Sequence, residues 1–314
     1  MARPGETRDA PRDTVVAENR NFAEQLGWCY MKLAQLVDAL DAYFRVRQVG
    51  NDFAWSGLYP EPYWREFAEP GYEALWNGLM VRGGEEVRRA ATCVFPTDHL
   101  LAALEPGTFL FSEHAADFTD EAGFFPLARS TFEAMRQRGI SFYQVHLPLD
   151  VHPEVSPSRL CAGGMGLADL HECFPVCDLP GGAVVIGQSS LTLTQLAQRL
   201  HAFLGEEVPV QVLTRPREQA GCVAVAAGGG ADPAALEESL RHGCTTYVTG
   251  NAATRCRLAF AQEGLRAFRT RADEAGVALI DGTHYGTEKP PQLAMVKWFQ
   301  ALGIDAEFLP DVPR

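Results

Sequence analysis

Leu279-Ile280-Asp281-Gly282-Thr283-His284-Tyr285-Gly286-Thr287-Glu288-Lys289-Pro290-Pro291 is the stretch on which the fold reading turns. Val277 to Ile280 is apolar and reads as the end of a buried strand. Pro290 and Pro291 suit the first turn of a helix, where missing N–H groups leave nothing unsatisfied. His284 and Glu288 therefore fall where a strand feeds a helix, the edge at which binding sites of α/β sheets collect. An imidazole and a carboxylate at that edge can reach the same metal ion or the same water. The pattern His-x-x-x-Glu is weak alone. It gains force from two distant partners, Glu113-His114 and His146-Leu147-Pro148-Leu149-Asp150.

Both partners follow the same local logic. Thr108 to Phe111 is apolar and β-prone, with Glu113-His114 one serine later; Ile140 to His146 is a second such run, with Asp150 just past its end. Three expected strands thus deliver Glu113, His114, Asp150, His284 and Glu288 to their C-terminal ends. Histidines and carboxylates together form the mixed nitrogen and oxygen set that binds zinc, iron or manganese. Each residue taken singly also fits a solvated loop or a hydrogen-bonded core histidine; the joint pattern favours the site.

The 314 residues are 46% apolar and 21% charged, enough for one large or two medium domains with real cores. No run approaches the roughly 18 apolar residues of a membrane span. Met1 to Asn21 is charged and lacks the apolar core of a secretory signal. Eight cysteines without framework spacing fit a reducing compartment, so a cytoplasmic location is expected. A formal charge of −13 argues against nucleic-acid polymers and anionic membranes as partners, and leaves a small-molecule substrate.

Residues 1–20 read as a flexible tail and 21–158 as a first α/β lobe, with a loop-rich insertion near 60–86. A helical stripe runs through Phe22, Leu26, Cys29, Leu33, Leu36, Val37, Leu40 and Phe44. Strands are expected at 89–95, 109–111 and 140–145, with helices at 96–104 and 127–138. Residues 151–182, rich in Pro, Gly and Cys, read as a connecting segment. A second α/β lobe, 159–314, repeats the rhythm: strands at 183–186, 208–213, 221–227 and 245–249, helices at 192–204 and 233–241. The alternation predicts an α/β fold of two lobes with helix-covered sheets and a metal site in the cleft between them.

Two further motifs have competing readings. Ala227-Gly228-Gly229-Gly230-Ala231-Asp232-Pro233 is either a phosphate cradle or a tight βα turn capped by Asp232, and the turn is favoured. His171-Glu172-Cys173 with Cys177 is at most half of a zinc knuckle. Cys222, Cys244 and Cys256 read as small buried hydrophobes.

Five ordered blocks resemble the Nif-three-like, dinuclear-metal-centre hexameric proteins, many of which carry the name GTP cyclohydrolase I type 2 homologue. They are Cys93-Val94-Phe95-Pro96-Thr97, Phe111-Ser112-Glu113-His114, His146 to Asp150, Tyr247-Val248-Thr249-Gly250, and Gly282-Thr283-His284 with Glu288. The resemblance runs from about Met31 to the C-terminus. It implies two divalent ions per subunit (manganese, iron or zinc), held by Glu113, His114, Asp150, His284 and Glu288, in a ring-like homohexamer. Glu113 departs from the family pattern, which has histidine there. The implied activity is metal-dependent hydrolysis of a small nucleotide-like or phosphorylated substrate, with His152 a surface residue or a proton shuttle. The alternative is a non-catalytic metal-binding or regulatory oligomer.

Overall fold

Arg89–Cys93, Phe109–Ser112 and Ser141–Gln144 are buried along nearly their whole length, as strands covered on both faces must be. They pair in parallel, Ala90 beside Phe109 and Leu110 beside Phe142. Gly78–Val81 adds an antiparallel edge and Asp305–Phe308 a parallel one, giving a five-stranded sheet. The computed structural model describes residues 30–49, 55–119, 121–175, 181–213, 218–253 and 257–310. The expected tail, Phe22, Leu26, Cys29, Cys177 and Cys256 lie outside those residues.

Alternate side chains of this sheet enter separate cores. Phe109, Phe111 and Tyr143 join Leu33, Leu36 and Leu40 of helix Leu33–Tyr43, together with Met295 and Phe299. Leu110 and Phe142 join Trp64, Trp76 and Phe132 on the opposite face. The region expected as an insertion is therefore core, with two tryptophans and an edge strand. Its short helices, Pro62–Glu66 and Tyr72–Leu75, match the expectation.

The second sheet has six strands, in the spatial order Gln211–Val212, Ala278–Asp281, Thr246–Thr249, Gly221–Ala226, Val184–Ser189 and Ala168–Cys173. Helix Leu193–Leu204 presents Leu193, Leu196, Leu200 and Leu204 to Val223, Val225, Val248 and Ile280. Its start is fixed by a capping box between Thr192 and Gln195. Helices Pro233–Arg241 and Ala259–Glu274 cover the other face, where Leu236 and Phe268 meet Tyr247. The α/β class is as expected: two sheets, each with helices on its faces. No helix among the described residues is long and apolar enough to cross a membrane.

Three expectations need correction. Helix His284–Ala301 starts at N-cap Thr283, so Pro290 and Pro291 lie inside it rather than in its first turn. The prolines leave carbonyls one turn back without their usual donors, and the Cys161 thiol donates to one of them, Thr287 O, at 3.5 Å. The supposed connector 151–182 contains helix Pro157–Gly164 and strand Ala168–Cys173. Ser156 caps that helix by accepting from Arg159 N, and Pro157 opens it, so the proline marks a beginning rather than a gap. The strand is an exposed edge without apolar alternation, which hides it from a hydrophobicity reading. Finally, 159–314 is not one lobe. The last helix leaves the second sheet and Asp305–Phe308 pairs with Arg89–Cys93 of the first.

Phe299 carries that return. It is fully buried, its ring 5.8 Å from Phe109 and 6.0 Å from Phe111. Phe299→Ala is expected to lower stability by about 3–5 kcal/mol, read as an earlier unfolding midpoint in urea. An unchanged midpoint would mean that the crossing helix is not anchored there.

Candidate metal centre

Strand Ala278–Asp281 ends on a carboxylate that shapes the following turn. Asp281 accepts from Thr283 N at 3.0 Å and from Ala253 N at 2.9 Å. Thr283 adopts φ 62°, ψ 152°, a region close to glycine-only and worth of order 1–3 kcal/mol of strain. Its surroundings hold it there. Its hydroxyl accepts from Gly286 N, and its carbonyl accepts from both Thr287 N and Thr287 Oγ1. The helix begins abruptly, and His284 and Glu288 come to lie one turn apart on the same face.

That face meets the first sheet. His114, two residues beyond strand Phe109–Ser112, is braced by the Phe95 ring stacked on it at 4.5 Å. His114 Nε2 is 2.8 Å from Glu288 Oε2, and His284 Nε2 is 3.0 Å from Glu288 Oε1. All three residues are buried, and their ligand atoms lie within 4.8 Å of one another. Burial opposes ionisation of Glu288, yet the two imidazoles outweigh it and hold the carboxyl well below the usual carboxylate range. Burial pushes the His114 imidazole down against the pull of Glu288.

Glu113 feels the charges of both Glu288 and Asp150. Glu113 is fully buried; its Oε2 accepts from Gln292 Nε2 at 3.2 Å, and its Oε1 has no hydrogen-bond partner among the described residues. Burial, then the charges of Glu288 and Asp150, push its carboxyl well above the usual range, against the Gln292 hydrogen bond. Asp150 closes the one-turn helix Leu147–Asp150 and is half-buried. The tight triad thus contains His114, His284 and Glu288; Glu113 and Asp150 are electrostatic neighbours outside it.

The triad can hold a metal ion. Donor atoms about 2.1 Å from one ion and at right angles lie about 3 Å apart, the spacing found between Glu288 and each imidazole. The unbonded Glu113 Oε1 is a second sign of fit, since a buried carboxylate oxygen otherwise needs a donor.

His152 does not take the expected place. It is buried, its Nδ1 accepts from Glu154 N and Val155 N, and its Nε2 faces the Tyr43 carbonyl at 3.1 Å. Nδ1 holds its own loop and Nε2 ties that loop to helix Leu33–Tyr43, so neither nitrogen remains to carry a proton elsewhere.

Several residues beside the centre are not among the expected ligands, although His146 opens the motif that ends on Asp150. His146 ends the strand run Ile140–Val145, its ring 5.1 Å from His114, and burial pushes it down to about 3. Phe118 and Phe124 come from the hairpin Asp117–Thr119 and Gly123–Phe125; Phe118 lies 4.8 Å from the His284 ring. The alternating Asp117-Phe118-Thr119 before a glycine was the available hairpin signal. Gln292, one turn beyond Glu288, was hidden behind the prolines.

The glycine turn proves to be a capped βα turn and a neighbour of the site as well. Asp232 accepts from Ala234 N and Ala235 N. Gly228, at φ 58°, donates its N–H to Thr287 Oγ1 at 2.8 Å, and a Cβ there would sit 1.8 Å from Glu288 Oε1. His171 faces His242 with 5.5 Å between ring centroids, and the only metal-type cluster among the described residues is the triad above. Cys244 is buried as expected, with Cys222 half-buried beside it.

The model of a family described as Duf34/NIF3 (NGG1p interacting factor 3) matches residues 63–308. A GTP cyclohydrolase 1 type 2 homolog of Deinococcus radiodurans is 28% identical over 263 residues, 81% of this chain and 83% of that protein. A protein of the same name from Escherichia coli K12 is 26% identical over 242 residues, 76% of this chain and 90% of that one. Several solved structures share the fold. Protein ybgI, of unknown function, has a TM-score of 0.63 at 20% identity, covering 90% of this chain and 99% of its own. TTHA1606 from Thermus thermophilus has a TM-score of 0.58 at 22% identity, with the same coverage.

Two substitutions test the packing around Glu288. Gly228→Ala is expected to destabilise the fold by more than the ~1–2 kcal/mol of a left-handed alanine, because the new methyl displaces Glu288. Gly229→Ala, whose Cβ would meet only His284 Cε1 at 3.9 Å, is expected to be tolerated. Equal melting temperatures for the two variants would refute the close approach.

Burial pushes His152 down to about 4, the Tyr43 carbonyl opposing it. The unfolded chain, with its histidine near 6.5, binds more protons between about pH 4 and 6.5. Stability therefore falls as pH drops through that window, by up to about 3 kcal/mol from this residue. His152→Gln is expected to lose less stability than wild type between pH 7 and pH 4.5 in urea titrations. Parallel pH profiles would show that His152 does not stay neutral in the fold.

Proposed function

The chain belongs to the Duf34/NIF3 family, and on that premise we propose that it is a dinuclear-metal hydrolase of small nucleotide-like or phosphorylated substrates. His114, His284 and Glu288 would hold one divalent ion. Glu113 and Asp150, sharing Glu288, would hold the other. The observation that carries the reading is the carboxylate of Glu288, buried between two imidazoles, with the buried Glu113 carboxylate near enough to feel its charge. Two buried carboxylates are costly unless a cation offsets them.

Divalent ions such as manganese, iron or zinc supply Lewis acidity and an acidified water when bound. The chain's own residues supply the rest. Phe95 excludes solvent from behind His114. Phe118 and Phe124, each half-buried, offer aromatic faces beside His284 on which a planar base can stack. Burial keeps His146 neutral near pH 7, so it adds a polar ring beside His114 without adding a charge. The names of the Deinococcus and Escherichia relatives favour GTP as the first nucleotide to try.

A second reading rests on the burial itself. His114, Glu288 and His284 are 1%, 3% and 6% exposed, and closed sites are more often structural than catalytic. On this reading the protein is a metal-holding oligomer without turnover. A metal-loaded sample that hydrolyses no nucleotide, phosphomonoester or phosphodiester would favour it.

The proposed assembly is a cytoplasmic homohexamer. Replacing His284 and Glu288 together by Ala is expected to abolish metal binding, read by elemental analysis after dialysis. Light scattering is expected to give about six times the 34.4 kDa subunit mass for wild type and variant alike. Two equivalents of metal retained in the double variant would overturn the ligand assignment, and a 34.4 kDa particle would overturn the assembly.

A further inference from the structure

Glu113 and His114 are neighbours in sequence, yet they serve different surroundings. Successive residues of extended chain point to opposite sides, and here His114 reaches the nitrogen-rich group while Glu113 turns to carboxylates. His114 and His284 face the two oxygens of Glu288 at 2.8 and 3.0 Å. Each carboxylate oxygen has two lone pairs, so one remains on each for a second ion. The Glu113 side chain meets an amide. Its carboxylate has one hydrogen bond, from the neutral amide of Gln292. Its Oε1 is buried with no hydrogen-bond partner among the described residues, and so is Gln292 Oε1. Asp150 and Glu288 lie close enough for their charges to act on it. The nearby soft donor, Cys161, spends its S–H on Thr287 O.

We propose that the two halves of the centre select different metals: a hard ion of the manganese or magnesium class in the all-oxygen half, and zinc or iron(II) in the imidazole half. This deepens the dinuclear reading and rests on it. Oxygen-only sites suit magnesium, calcium and manganese, whereas imidazole suits zinc and iron. On the hard side Glu113 meets Gln292, the charges of Glu288 and Asp150 act on it, and Gln292 Oε1 is buried with no hydrogen-bond partner among the described residues. A divalent cation would satisfy the bare Glu113 oxygen and offset those charges in a single step. A soft ion gains no such advantage from oxygen donors alone. Glu113 is the residue that decides the matter, because histidine in its place would give both halves imidazole.

The test uses the full chain, stripped of metal and loaded with one equivalent of zinc per subunit, then titrated with manganese. Metal content gives stoichiometry, and electron paramagnetic resonance gives the state of the bound manganese. Wild type is expected to keep its zinc and to take one manganese with the hyperfine-split signal of an isolated ion. Glu113→Gln, nearly isosteric, is expected to keep the zinc and to bind manganese about tenfold more weakly or worse. Glu113→His is expected to take a second zinc and to exclude manganese. Equal manganese binding by wild type and Glu113→Gln would overturn the inference while leaving the zinc half intact. A wild-type protein that retains no zinc would overturn the dinuclear reading itself, and the inference with it.

Discussion

The contact between Glu288 and two imidazoles, one from each side, is the constraint on which the rest of the structure depends. His114 reaches it from the first sheet. His284 and Glu288 reach it from the helix that follows the central strands of the second. An ion pair this deep adds little net stability, because desolvating the charges offsets their attraction. Its effect is on specificity. A carboxylate held well below its usual range by two neutral-prone imidazoles tolerates no alternative packing, since any shift leaves a buried charge without its partners. The sheets are therefore fixed relative to one another by chemistry at one point, and the crossing helix carries that point into the core around Phe299.

The backbone near Glu288 is shaped to keep the carboxylate in place. Thr283 sits in a conformation that glycine would adopt more easily, and four hydrogen bonds with Asp281, Gly286 and Thr287 compensate. Gly228 is glycine for a packing reason as well as a conformational one, since a methyl there would overlap Glu288 Oε1. Pro290 and Pro291 interrupt the helix ladder one turn later, and Cys161 from a neighbouring helix supplies a donor. Thr287 joins these devices: its hydroxyl accepts from Gly228 N and lies against the Thr283 carbonyl. Turn, glycine loop and helix start thus share one short hydrogen-bonded circuit.

Much of this was legible in the sequence, and the reasons for the exceptions are physical. Strands buried on both faces, such as Phe109–Ser112 and Thr246–Thr249, appear as plain apolar runs between turn residues. Helix Leu193–Leu204 repeats leucine at helical spacing behind a capping box, which is the least ambiguous signal a chain offers. The polar residues that gather at the centre lie at ends of such runs, so their convergence followed from strand direction. Edge strand Ala168–Cys173 is exposed and charged, so no hydrophobic pattern marks it. Trp64 and Trp76 pack a core through irregular short helices, where no period exists to be read. His146 and the phenylalanines of the hairpin act through position in space, which spacing along the chain does not encode. The return of Asp305–Phe308 to the first sheet is a topological choice that local sequence leaves open.

Several departures from local rules gather at one place. Prolines inside a helix, a β-branched residue at positive φ, a buried carboxylate oxygen without a donor and a glycine pressed against a charge lie in one circuit about Glu288. Elsewhere several helices start on ordinary polar caps, at Thr97, Ser156, Thr192 and Asp232. A sequence under selection for stability alone would relax each of these features, since each raises the energy of the folded state by an amount that ordinary substitutions could recover. Where they gather around Glu288, the rest of the fold supplies the surplus holding them together. Aromatic rings then complete the arrangement: Phe95, Phe118 and Phe124 lower the local dielectric around His114 and His284, which makes every charge at the centre act more strongly on its neighbours. A cation entering such a place meets donors that are already positioned and poorly solvated, so the reorganisation that usually weakens binding has been made in folding.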